Sequence, residues 1–122
     1  MRPLIAGALA GLFSAWLVSA ATAADPYGTY VRPSNGSQVN FYNCGGNLCG
    51  KVVKSDKKEN VGKVILTGAA KSGENAWKGD LLNLDDGKTY SGTLTLLNAK
   101  EMKLEGCVLG LLCKGETWKK VN

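Results

Sequence analysis

Two short cysteine loops, each set inside alternating apolar and polar residues, constrain this chain more than any other feature. Cys44 and Cys49 bracket Gly45-Gly46-Asn47-Leu48, and Cys107 and Cys113 bracket Val108-Leu109-Gly110-Leu111-Leu112. Each loop contains glycine, which a tight hairpin connection requires, and the first is flanked by residues that favour extended backbone. Four cysteines allow three pairings. The spacing predicts two local bridges, Cys44 to Cys49 and Cys107 to Cys113, each a staple across a β-hairpin. Such bridges persist outside the reducing cytosol, and the N-terminus points the same way. Arg2 supplies a positive start, Leu4 to Val18 is an uncharged apolar run, and Ala21-Thr22-Ala23 has the form of a cleavage site. Residues 1–23 are therefore expected to be a removable signal peptide and residues 24–122 a single domain. The protein is then periplasmic or secreted, with no transmembrane span after cleavage.

The remainder reads as strands separated by turns. Tyr27 to Val31 is extended in type and is turned by Pro33-Ser34-Asn35-Gly36; from Ser37 to Cys44, Val39 and Phe41 share one face and Gln38, Asn40 and Tyr42 the other. If Cys44 stands directly across from Cys49, Phe41 opposes Val52 and Tyr42 opposes Lys51, with the disulfide on the outer face. A polar loop precedes a strand at Val61 to Thr67, and Lys71 to Asn75 forms the next loop. Ala76 to Leu84 is a strand carrying Trp77, and Asp85-Asp86-Gly87-Lys88 is a turn. In the strand Thr89 to Leu97, Tyr90, Gly92, Leu94 and Leu96 share a face. Met102 and Leu104 do so in Glu101 to Cys107. In the last strand, Cys113 to Val121, an outward Cys113 makes Glu116 and Trp118 point inward. An inward Glu needs a partner, or else a bulge reverses the local register; the alternation leaves both open.

Eight strands joined by short loops, without a helix in the mature part, predict an all-β fold. Its simplest form is an antiparallel up-and-down β-barrel, because closure removes exposed sheet edges; a β-sandwich is the alternative. A barrel of eight strands has an interior that side chains fill or that holds one small ligand.

Several spaced motifs carry a family resemblance across Gly28 to Val121. They are Tyr42-Asn43-Cys44-Gly45-Gly46-Asn47-Leu48-Cys49-Gly50-Lys51-Val52-Val53, then Asp86-Gly87-Lys88-Thr89-Tyr90-Ser91-Gly92, then Gly106-Cys107 and Glu116-Thr117-Trp118. In this order they resemble a bacterial family of small exported proteins, domain of unknown function 2147. The resemblance implies a lipocalin-like barrel in the periplasm and brings no reaction with it. Gly28-Thr29-Tyr30 is also similar to the Gly-x-Trp that opens lipocalins, with Tyr30 in place of the Trp.

Composition narrows the chemistry. The chain has no histidine, which removes His-based triads and His-containing metal sites. The cysteine spacings are wider than those of zinc ribbons, and no Cys-x-x-Cys is present for thiol exchange. Asp85-Asp86-Gly87 lacks the further carboxylates of a calcium loop, and the sequence does not place Asp80, Asp85 and Glu116 as a catalytic pair. No catalytic residue, metal or cofactor is expected. The net charge is +5, but Lys51, Lys54, Lys57, Lys58 and Lys63 are interrupted by Asp56 and Glu59 and lack interleaved aromatics, so no nucleic-acid partner is expected. The leading expectation is a non-enzymatic barrel binding a small, largely apolar ligand such as a lipid or fatty acid. Its candidate lining is Tyr30, Val39, Phe41, Val52, Trp77, Tyr90, Leu94, Leu104 and Trp118. The alternative is an envelope interaction protein that uses the barrel as a scaffold and holds no ligand.

Overall fold

The computed structural model describes residues 25–109 and 112–122; the expected signal peptide lies outside the described residues. Eight strands follow one another: β1 (Gly28–Val31), β2 (Gln38–Cys44), β3 (Asn47–Lys54), β4 (Val64–Gly73), β5 (Ala76–Asn83), β6 (Lys88–Asn98), β7 (Glu101–Val108) and β8 (Leu112–Lys120), with a 3-10 turn at Lys58–Asn60 before β4. Each strand pairs antiparallel with the next, and β1 pairs with β8, so the sheet is a closed up-and-down barrel and not a sandwich. The seam is short: only Tyr30 with Lys120 and Val31 with Lys119 are in register. It is extended by Thr29, whose N–H donates to the Asn122 carbonyl (2.9 Å) and whose carbonyl accepts from the Val121 N–H (2.7 Å).

The first cysteine hairpin corrects one expectation. Gly45 (φ 76°) and Gly46 (φ 95°) both occupy the left-handed region, as a two-residue hairpin turn of the primed type requires. That tight turn sets Cys44 opposite Asn47, Tyr42 opposite Cys49, Phe41 opposite Gly50 and Val39 opposite Val52. Phe41 is therefore not across from Val52, nor Tyr42 from Lys51. The Cys44–Cys49 bridge joins diagonal neighbours, with Cα atoms 5.8 Å apart. The new register explains Gly50: a Cβ there would stand 2.7 Å from Phe41 Cε1, so the ring occupies the space that a side chain would need. The bridge lies on the outer face, as expected, since Tyr42, Cys44 and Cys49 share it opposite to inward Phe41 and Leu48. The second bridge, Cys107–Cys113, joins directly opposed residues of β7 and β8.

The β4 strand also differs from the sequence expectation. It runs from Val64 to Gly73, leaving Glu74-Asn75 as a two-residue turn to β5. Val61 to Lys63 belong to the preceding loop, where the Val52 N–H donates to the Lys63 carbonyl and the Gly62 N–H to the Val52 carbonyl. The ladder with β5 shifts register between Thr67 and Ala70, around Gly68 at φ 56°. A shift of this kind disrupts a simple two-residue alternation, which is why the strand's second half read as loop.

The interior is packed at one end. Tyr30, Val39, Phe41, Leu48, Leu66, Leu94 and Met102 are fully buried, each contributing about 1.5–3 kcal/mol of apolar burial. Phe41 sits edge-on to both Tyr30 and Trp118, at centroid distances of 5.7 and 6.2 Å. The short turns at Gly45-Gly46, Glu74-Asn75 and Ala99-Lys100 gather at this filled end. The β1–β2, β3–β4, β5–β6 and β7–β8 connections gather at the other, where the interior opens.

Candidate binding cup

At the open end the barrel encloses a cup of about 1000 Å³, at the top of the range for small-molecule sites, about 300–1,000 Å³. Its wall and floor are built by Val39, Val52, Ile65, Leu81, Leu104 and Trp118. The inward phase of each strand supplies them: Val39 two residues before Phe41, Leu104 two after Met102, and Leu81 in phase with Trp77 across Gly79. Glycines hold the wall flat. A Cβ on Gly92 would lie 2.6 Å from Leu81 Cβ, and one on Gly106 would lie 3.3 Å from Tyr90 Cβ.

Charged side chains from three separate parts of the chain meet at the mouth. Arg32, at the end of β1, is placed by a turn in which its N–H donates to the Ser37 carbonyl and its carbonyl accepts from the Gly36 N–H. Its Nε donates to Glu116 Oε1 at 3.0 Å, and its Nη1 lies 3.7 Å from Asp85 Oδ2. Ser34 Oγ donates to the same Glu116 oxygen at 3.2 Å. This resolves the question left open for Glu116. It faces inward opposite Leu104, with no bulge in β8, and is paired. The mouth also carries a third side-chain hydrogen bond, from the Tyr90 hydroxyl to Asp86 Oδ2. That bond, with the Lys88 N–H on Oδ1, holds the Asp86 carboxyl below the ordinary carboxylate range. The same contact pushes the Tyr90 phenol up.

Of the residues expected to line a cavity, Val39, Val52, Tyr90, Leu104 and Trp118 border the cup. Tyr30, Phe41 and Leu94 are packed in the core beneath it, as is Trp77, whose ring lies 5.6 Å from the Lys71 ammonium. The Tyr30 hydroxyl is buried and has no hydrogen-bond partner among the described residues. Burial, reinforced by the nearby charge of Asp25, pushes its phenol up. Sequence reasoning missed Arg32, Ile65, Leu81 and Asp85. Leu81 was discoverable from its phase with Trp77. Arg32 and Asp85 lie at turns, where alternation carries no information.

Among the described residues, no three His, Cys, Asp or Glu side chains gather as a metal site. The cysteines are held in the two disulfides, so the cup offers apolar walls, a hydrogen-bonded ionic cluster and no thiol. Beside it stands an apolar tip: Leu109 is 89% exposed and Leu112 75% exposed, and Leu109 has a φ of 54°, the one positive value at a non-glycine among the described residues.

Residues 28–120 match the model of a family described as an uncharacterized protein conserved in bacteria, DUF2147. Among solved structures the chain is similar to protein HP1028 from the human pathogen Helicobacter pylori, described as belonging to the lipocalin family. The TM-score is 0.66 at 19% identity, over 81% of this chain and 84% of that one. At this identity the likeness concerns the fold. No curated protein sequence matches the chain.

Proposed function

This chain belongs to the DUF2147 family, and from that membership and the geometry of its barrel we propose that it is a lipocalin-like binding protein for a small, largely apolar ligand of lipid type. The observation that carries the reading is the open cup of about 1000 Å³ walled by Val39, Val52, Ile65, Leu81, Leu104 and Trp118. The apolar residues form one wall of a cup whose mouth is polar, and an alkyl chain laid against that wall gains roughly 0.8 kcal/mol for each buried methylene. The function is binding without chemical conversion. The reading is supported by the ionic residues at the mouth, Arg32, Asp85 and Glu116, being engaged with one another. Two disulfides favour an oxidising compartment, and we place the protein in the periplasm after removal of residues 1–23.

Native mass spectrometry of protein purified from the periplasm without detergent tests this reading. A retained small molecule, extractable into organic solvent and of lipid-like mass, is the expected result. A bare protein mass, together with failure to bind the neutral probe N-phenyl-1-naphthylamine, would overturn it.

A second reading, an envelope protein that engages a protein partner, draws support from the exposed Leu109 beside the mouth. Leu109→Ser separates the two. Loss of a co-purifying partner with probe binding intact favours the interaction reading, whereas an unchanged preparation favours the cup.

A further inference from the structure

The seam between β1 and β8 covers only the last part of β8. Lys120 donates its N–H to the Lys100 carbonyl on the β7 side, whereas Val121 donates to the Thr29 carbonyl on the β1 side. Successive residues of an antiparallel strand aim their backbone groups to alternate sides, so the even-numbered residues of β8 face β7 and the odd-numbered ones face β1. Lys119 meets Val31 there, and Thr117 would pair next, with position 33. That position is Pro33, which has no N–H and lies beyond the end of β1. The β1-side backbone groups of Cys113, Gly115 and Thr117 therefore have no partner strand among the described residues. All three residues are exposed, and Gly115 has only backbone to expose.

We propose that this open edge of β8 pairs antiparallel with the same edge of a second copy of the chain, about a twofold axis at Gly115. An unpaired edge is a template for strand addition, and a twofold pairing needs an edge complementary to itself. Lys114-Gly115-Glu116 is such an edge. With Gly115 opposite Gly115 of the partner subunit, Lys114 stands opposite Glu116 of the partner subunit and Cys113 opposite Thr117 of the partner subunit. The odd-numbered residues then exchange the N–H and carbonyl groups that the barrel leaves unused. The Lys and Glu pairs fall at the non-hydrogen-bonded positions, where side chains stand closest.

The side chains leave the same gap as the backbone. Lys114 has no acidic partner among the described residues. Glu116 Oε1 takes hydrogen bonds from Arg32 and Ser34, while Oε2 accepts none among the described residues. The pairing gives the lysine a carboxylate and the second oxygen of Glu116 a donor, with Arg32 left in place. Both residues border the cup, so each copy brings an ammonium to the mouth of the other. A single pair of strands makes a small interface, below about 1,200 Å² in total, and the dimer is reversible.

Sedimentation velocity of the oxidised mature protein at pH 7 over a series of concentrations, combined with amide hydrogen exchange, tests the proposal. The expected result is a dimer that forms with concentration and slows exchange at Cys113, Gly115 and Thr117, while the amides of Lys114 and Glu116, already bonded to β7, do not change. Lys114→Glu sets like charges opposite each other and should weaken dimerisation at least about tenfold. Glu116→Lys should weaken it likewise, and mixing the two variants should restore a dimer of one with the other. Should Glu116→Lys fold poorly, the exchange pattern and Lys114→Glu decide the matter. A monomer at every concentration, or a dimer in which the three amides stay fast and Lys114→Glu changes nothing, would overturn the proposal. A monomer whose three amides slow only when periplasmic extract is added would assign the edge to another protein and overturn the self-pairing.

Discussion

Replacing Gly50 with alanine tests the register of the first hairpin and the packing of the core together. The added Cβ would lie 2.7 Å from Phe41 Cε1 and 2.9 Å from Cδ1, whereas carbon atoms pack at about 3.5–4.0 Å. About 1 Å of separation must then come from somewhere. The ring is held edge-on by Tyr30 and Trp118, at 5.7 and 6.2 Å, and Phe41 is 1% exposed, so it has no free direction of escape. Overpacking of this kind costs about 1–3 kcal/mol. For a domain of this size each kcal/mol lowers Tm by roughly 4–8 °C. Urea unfolding under oxidising conditions, followed by tryptophan fluorescence, measures the loss as a lower midpoint at constant slope. The decisive comparison is a double-mutant cycle with Phe41→Leu, which withdraws the ring edge. Gly50→Ala should then cost less than in the parent, with a coupling of about 0.5–3 kcal/mol. Strict additivity, or a neutral Gly50→Ala, would refute both the contact and the pairing of Phe41 with Gly50.

Three other perturbations have defined outcomes. Tyr30→Phe removes a buried hydroxyl that lacks a partner and should raise stability by about 1 kcal/mol; a clear loss in urea unfolding would mean that the hydroxyl is satisfied. Removing the Cys107–Cys113 bridge, which closes a loop with a sequence separation of 6, should cost about 2 kcal/mol in the chain-entropy account, and an unchanged urea midpoint would count against it. The Asp86–Tyr90 bond gives opposite limbs with pH. Asp86 is held down, so its contribution is present above the unfolded carboxylate value of about 3.9 and is lost as pH falls through the lower folded value. Tyr90 is pushed up, so its contribution is present below about 10 and is lost as pH rises through the higher folded value. In Tyr90→Phe the Asp86 carboxyl should titrate at higher pH by NMR, and an unmoved titration would contradict the assigned bond.

What the sequence made legible, and what it hid, follows from which interactions are local. Strand count, barrel closure and both disulfides were readable because alternation and glycine turns are properties of short segments. Val39, Phe41, Leu94 and Met102 all lie on the faces that period-two reading assigns them. Register failed where two local signals competed. The cysteines suggested direct opposition, but two consecutive glycines with positive φ make a shorter turn, and the bridge accommodates this by crossing diagonally. The same limit explains the division of the expected lining. Tyr30, Phe41, Leu94 and Trp77 face inward just as Val39, Val52, Leu104 and Trp118 do, and alternation distinguishes inside from outside without distinguishing one end of a barrel from the other. Only the joint arrangement of all the strands decides which inward residues fill the floor and which face open volume. The ionic cluster is the extreme case, since Arg32, Asp85 and Glu116 lie far apart along the chain and meet only once β1 pairs with β8. The seam that closes the barrel is therefore also the element that brings Arg32 to Glu116, so weakening it should loosen the mouth of the cup before the packed end of the core.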